Sequence, residues 1–354
     1  MQRKLAVIGA VAAVAVSACT AAEIGAAVSP DGRNAICLHA DPLAYEVLRD
    51  GVVVAAKSGI GVCLDGKCLV KGISEAASVT KRTLAGTVPA PTYKKAGVSL
   101  AGNETFADFG DFAVRLVARN DGVAYRLELK KTGIITNEKA DLTIPKAARC
   151  WYNRTSRNSL GCEETVPQFA DATALKTDAK SAFYLPFAYS VGGKTVAVTE
   201  SGLTDYPALY FGEVEQGADG ARLSSLFAKY PKATTRVGGW GKEKGLKTGG
   251  RWVRVTETEN FIAKADAPRA LPWRTFILAD SPSKLCEADI VYALAEPAAE
   301  GADFSWVRPG KVAWDWWNAF DNKGTEKGCT TEGYKRFIDF AAKAGVEYVI
   351  FDEG

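Results

Sequence analysis

The chain has 354 residues, 47% of them hydrophobic and 24% charged, an ordinary balance for a protein of about two domains with a large buried core. Its net charge is +3, from 44 Lys and Arg against 41 Asp and Glu, and no basic block dominates, so no nucleic-acid partner is expected. The one histidine, His39, argues against a Ser-His-Asp or Cys-His engine and excludes a multi-histidine zinc site, which leaves carboxylates, aromatics and calcium for any chemistry.

Residues 1–22 read as a signal peptide. Arg3 and Lys4 precede an apolar stretch from Leu5 to Ala18 that is too short to span a bilayer comfortably, and small residues follow. Val16-Ser17-Ala18-Cys19 also has the form of a bacterial lipobox, so cleavage beyond Cys19 and lipid anchoring through Cys19 both stand. Either way the expectation is export, to the periplasm or as an outer-membrane lipoprotein of a bacterium. Of eight cysteines, Cys63 and Cys68 are placed to close a hairpin and Cys150 and Cys162 bracket a loop, while others suit small buried positions.

Residues 23–295 read as β-structure. Ser29-Pro30-Asp31-Gly32 is a turn. Asp50-Gly51, between Tyr45, Val47 and Val52, Val54, is a hairpin signal. At Asn120-Asp121-Gly122 the chain turns between Val114, Leu116 and an alternating strand. There Val123, Tyr125, Leu127 and Leu129 are expected inward, and Ala124, Arg126, Glu128 and Lys130 outward. A further hairpin is predicted at Gly192-Gly193. Many strands with short polar turns predict a large antiparallel β-sandwich.

The pattern changes near residue 296. Residues 296–310 form a connector, and Lys311 to Trp314 a short strand. Thr330 or Thr331 caps a helix with Tyr334, Phe337, Ile338 and Ala341 on one face and Gly345 as its stop. The apolar run Val346 to Phe351 predicts a buried parallel strand ending in Asp352-Glu353-Gly354. Residues 311–354 thus read as the first β-α-β unit of a truncated (β/α)8 barrel, in which strand tips carry the chemistry.

Three tryptophans lie within Trp314-Asp315-Trp316-Trp317-Asn318, more than packing requires. Flat indole faces stack on sugar C–H faces, and Asn or Asp binds hydroxyls. Trp316, Trp317, Asn318, Asp352 and Glu353 are therefore the candidate substrate-binding residues; core packing, a salt bridge or a helix cap are the plainer alternatives. Glu200, at a strand end, and Asp205 read on spacing alone as solvated turn carboxylates. Arg274 in Pro272-Trp273-Arg274 suits a carboxylate clamp or a domain joint.

These stretches together resemble glycoside hydrolase family 97, bacterial exo-acting α-glycosidases. The resemblance rests on Ser29 to Gly32, Arg119 to Arg126, Thr199 to Tyr206, Pro272 to Arg274, Val312 to Asn318 and Tyr334 to Gly354, in family order. It implies an N-terminal β-super-sandwich beside a catalytic (β/α)8 barrel, an oligosaccharide substrate, and a bound calcium ion near it. It also implies that Glu200 is a calcium ligand. Retaining, α-galactosidase-like members use an aspartate nucleophile and a glutamate acid/base; inverting α-glucosidases use glutamates. The Trp-Asp-Trp-Trp-Asn form resembles the retaining group. On this reading the catalytic residues lie beyond Gly354, the 354-residue polypeptide is expected to be inactive, and a monomer or dimer is expected. The competing readings are a secreted non-catalytic carbohydrate-binding sandwich and an envelope lipoprotein.

Overall fold

The computed structural model describes residues 23–70, 73, 75–90, 93–158, 160–161, 165–237, 252–314 and 331–351. The leader and Cys19, Cys162, residues 315–318 and residues 352–354 lie outside this set. The chain divides into two compact units: Met1–Pro89 with Gly97–Ala233 and Glu257–Pro297, and Ala90–Ala96 with Thr234–Thr256 and Ala298–Gly354.

The first unit is a large antiparallel β-structure. Glu23–Val28, Asn34–His39, Ala44–Arg49 and Val52–Leu64 form a meander. Val52–Leu64 then pairs with Gly133–Ala140 and Leu142–Pro145, and the latter with Gly220–Phe227. The network continues through Leu209–Gln216, Ser181–Val191, Lys194–Ser201, Trp273–Ala279, Gly122–Leu129, Phe112–Arg119 and Gly102–Asp108 to Ser78–Leu84. One core fills it. Tyr45, Tyr125 and Phe276 meet ring to ring, and Phe183, Phe187 and Phe211 form a second aromatic group. The two buried hydroxyls of Tyr45 and Tyr189 donate to the carbonyls of Asp141 and Val54, so neither is orphaned.

The predicted hairpins are present. Asp50 and Gly51 both take positive φ, 50° and 75°, as do Gly192 and Gly193 at 55° and 72°, the twist a two-residue hairpin loop needs. Cys63 and Cys68 are disulfide-bonded and face each other in the strand register. Cys150 is a buried free thiol whose burial pushes its pKa up to about 12.

The alternation expected after Asn120 holds on one face only. Val123, Tyr125, Leu127 and Leu129 are buried, but so is Ala124, under Trp273 and Ile290. Arg126 and Glu128 are half-buried rather than solvated. They join a charge ladder in which Arg115 bridges Glu104 and Glu128, and Arg126 bridges Glu128 and Glu296. A second layer on that face, the short helix Ile290–Ala293, is what the period of two left out.

In the second unit Val312–Trp314 pairs in parallel with Tyr348–Ile350, joined through the helix Thr331–Ala344. Gly345 has φ 67°, and Val346 N–H closes back on Ala341 C=O at 2.9 Å, a left-handed helix stop. The burial expected of this unit is not observed. Ile338, Tyr348, Ile350 and Phe351 are exposed, and among the described residues no further strand joins this two-stranded parallel sheet.

Candidate functional site

Glu200 sits one residue before the end of Lys194–Ser201, directly opposite Arg274 on Trp273–Ala279. The Arg274 guanidinium is 2% exposed. Its Nε donates to Glu138 Oε1 at 3.0 Å and one Nη to Glu138 Oε2 at 2.6 Å, a forked pair, while its other Nη donates to Glu200 Oε1. Tyr206 Oη donates to Glu138 Oε2 at 2.8 Å, and the Leu209 N–H donates to Glu200 Oε2 at 3.1 Å. The rings of Tyr206 and Phe227 close over the guanidinium at 5.9 and 5.2 Å.

Two carboxylates therefore share one guanidinium in a nearly dry pocket. Burial opposes the charge on Arg274, but Glu138 and Glu200 together hold it protonated. Because Glu138 takes the forked contact, Glu200 receives only part of the compensation. Burial pushes Glu200 above the ordinary carboxylate range, and Arg274 and the Leu209 N–H pull it only part of the way back. Of the two carboxylates, Glu200 is the less fully compensated. Such a carboxylate can hold a cation, as a hard-oxygen ligand of the kind calcium takes. Among the described residues no three His, Cys, Asp or Glu side chains gather into a cation site, and both Glu200 oxygens already have protein partners. Glu200 is therefore not a cation site by itself, and a metal there would need further ligands from outside this cluster.

Asp205, by contrast, is exposed, with φ 50° in the loop after Glu200; its carbonyl and carboxylate face Arg269. The clamp reading of Arg274 is the one the geometry realises. Glu138 and Tyr206 are the members that sequence reasoning missed. The remaining candidates, Trp316, Trp317, Asn318, Asp352 and Glu353, lie outside the described residues.

On the far face of the same strand, Trp273 borders a cleft of about 340 Å³ with the Arg126 guanidinium 4.5 Å over its ring. The arginines of the ladder there, Arg82, Arg115 and Arg126, each have a carboxylate partner, so this cleft carries no evident surplus charge for a ligand.

Comparison with known proteins places these features. The family description "Glycosyl-hydrolase 97 N-terminal" matches residues 27–297. A retaining alpha-galactosidase of Bacteroides thetaiotaomicron is 32% identical over 339 residues, covering 92% of this chain and 49% of that protein. A probable retaining alpha-galactosidase of Streptomyces bingchenggensis is 26% identical, covering 92% and 45%. Among solved structures, a family 97 enzyme of Pseudoalteromonas sp. strain K8 in complex with acarbose superposes with a TM-score of 0.70 at 21% identity, over 92% of this chain and 46% of that one. The chain spans about half the length of the curated relatives it matches.

Proposed function

The chain belongs to glycoside hydrolase family 97, and we propose that it serves an exo-acting α-glycosidase of the retaining, α-galactosidase-like kind, acting on oligosaccharides. The observation that carries this reading is the 32% identity, over 92% of the chain, to a protein named as a retaining alpha-galactosidase. Within it, the β-structure positions Glu200, and residues 311–354 open a (β/α)8 barrel. The parallel pairing of Val312–Trp314 with Tyr348–Ile350 supports that assignment.

Each residue has a bounded task in this proposal. Glu138, held by Tyr206, fixes the Arg274 guanidinium, and Arg274 with the Leu209 N–H fixes the Glu200 carboxylate at its strand end. Glu200 would contribute one oxygen ligand to a calcium ion, which when bound supplies positive charge for holding hydroxyls or water. Trp316, Trp317 and Asn318, with Asp352 and Glu353, would contact sugar. No nucleophile or general acid is assigned to residues 1–354. Retention needs two carboxyl groups about 5–5.5 Å apart flanking an open bond, and the buried pair on Arg274 does not meet that need. Export through residues 1–22, with or without a lipid at Cys19, completes the reading.

The test is to express the full reading frame, supply an aryl α-galactoside and an aryl α-glucoside, and follow the first-formed anomer by proton NMR. Release of α-galactose supports the proposal. First-formed β-anomer, or turnover of the glucoside alone, would overturn it.

A further inference from the structure

The outer face of the hairpin Arg149–Ser156 and Gln168–Asp171 carries two large aromatic rings where a solvated sheet would carry polar residues. Cys150 and Tyr152 point into the core, so alternation turns Trp151 outward, 40% exposed. Its cross-strand partner is Phe169, 48% exposed, with ring centroids 5.4 Å apart and planes inclined at 52°. On its other flank Trp151 pairs with Ala188, and Arg149 with Ser190, side chains too short to cover the indole. The Arg149 guanidinium lies 4.9 Å from the Phe169 ring centre and 3.7 Å from Asp171.

We propose that Trp151 and Phe169 form a carbohydrate-binding platform for the pyranose rings of an uncharged glycan. The axial C–H face of a pyranose is slightly positive and apolar and complements the negative face of an aromatic ring. The polar rim decides the charge of the ligand. Arg149 and Asp171 cancel, so an anion meets Asp171 and a cation meets Arg149, while a hydroxylated neutral ring finds a donor on one and an acceptor on the other. Area decides against a second copy of the chain. Two rings expose at most a few hundred Å², well short of the roughly 800 Å² per partner that a stable protein interface buries. The inference goes beyond the hydrolase reading and needs no turnover.

The experiment is native affinity electrophoresis of the 354-residue chain in gels cast with galactomannan, with amylopectin, or with neither. The expected result is retardation by at least one polysaccharide, lost in Trp151→Ala and in Phe169→Ala, partly kept in Trp151→Phe, and unchanged in Val79→Ala on a different strand. Matching circular dichroism spectra show that the variants are folded. Migration of the unaltered chain that neither polysaccharide changes, or retardation that survives Trp151→Ala, overturns the proposal. A sedimentation shift from dimer to monomer in Trp151→Ala, with no saccharide effect, also overturns it and assigns the rings to contact between copies. Because only binding is read, a failure here is separate from a failure of the anomer assay.

Discussion

Glu200 and Arg274 face each other across the antiparallel register of two strands, yet the guanidinium gives its forked contact to Glu138 instead. The arrangement makes the two carboxylates unequal. Glu138 completes a paired buried charge, whereas Glu200 is a partly compensated one whose ionised form folding disfavours. A carboxyl held above its unfolded pKa subtracts stability once pH rises past about 4.3. At neutral pH, Glu200→Gln is therefore expected to be neutral or to stabilise by up to about 1 kcal/mol. Arg274→Met leaves two buried carboxylates unpaired and is expected to cost about 3–5 kcal/mol. Urea denaturation at pH 7 and pH 5 reads both; a larger loss from Glu200→Gln than from Arg274→Met would contradict this division.

A residue that the fold keeps at a stability cost is a candidate for function. In the full reading frame, Glu200→Gln is expected to lower calcium affinity at least tenfold, a loss of about 1.4 kcal/mol. Isothermal titration with calcium checks this without any substrate. Unchanged affinity would remove Glu200 from the metal site while leaving its place beside Arg274 intact.

His39 gives the stability of the meander a pH dependence. Its ring is 1% exposed, neither nitrogen has a hydrogen-bond partner among the described residues, and Glu46 is 3.8 Å away. Burial, and then Lys57, hold its pKa below the usual histidine value. The unfolded chain takes up a proton below about pH 6.5 and the folded one does so later, so stability falls as pH drops through that window, by at most about 1.4 kcal/mol per unit. Burial raises Glu46, which acts in the opposite sense. The informative reading is thus the difference between the native protein and His39→Leu from pH 7.5 to 5. Parallel curves would show that His39 does not titrate on unfolding.

A second pH window lies lower. Asp50 is held below the ordinary carboxylate range by Arg33, with Lys194 adding to it, and Asp280 is lowered to about 2, by Arg49 first. Depressed carboxyls contribute stability above about pH 4 and lose it on further acidification. The cluster is partly exposed, so Asp50→Asn is expected to cost only about 1 kcal/mol at pH 7 and less than that at pH 2, where the unfolded carboxyl is already protonated. Thermal melts at the two pH values, at low and high salt, check the sign and the screening.

The parts of this fold that the sequence makes legible are those set by local backbone chemistry. Asp50-Gly51 and Gly192-Gly193 announce hairpins because left-handed φ is inexpensive only for such residues. The parallel strand-helix-strand order after residue 311 is legible from period and length. Glu138 is not legible. The register shift between Ile135 and Asn137 inverts the side-chain phase, so that Glu138 and Ala140 point inward where strict alternation would put Asn137 and Lys139. Trp151 and Phe169 escaped for a different reason, since their pairing depends on a register fixed only when both strands are in place.

Gly122 and Gly193 separate two ways in which a glycine is required. At Gly193 nothing stands within 4 Å of an added Cβ, and φ is +72°, so the cost of a side chain is conformational. Gly193→Ala is expected to lose about 1 kcal/mol, and Gly193→Asn most of that less, because Asn tolerates the left-handed region. At Gly122, the first residue after the Asn120-Asp121 turn, an added Cβ runs into the Phe276 carbonyl oxygen and comes within 3.2 Å of Ile290 Cδ1. The obstacle is backbone of the paired strand, which cannot rotate aside. Gly122→Ala is expected to force Trp273–Ala279 away and to cost about 1–3 kcal/mol, and Gly122→Asn to cost more than Gly122→Ala. Because that strand carries Arg274, calcium affinity of the full reading frame should fall with Gly122→Ala and hold with Gly193→Ala. Equal responses of the two positions to Asn, in stability and in affinity, would show that close strand approach is not what Gly122 provides.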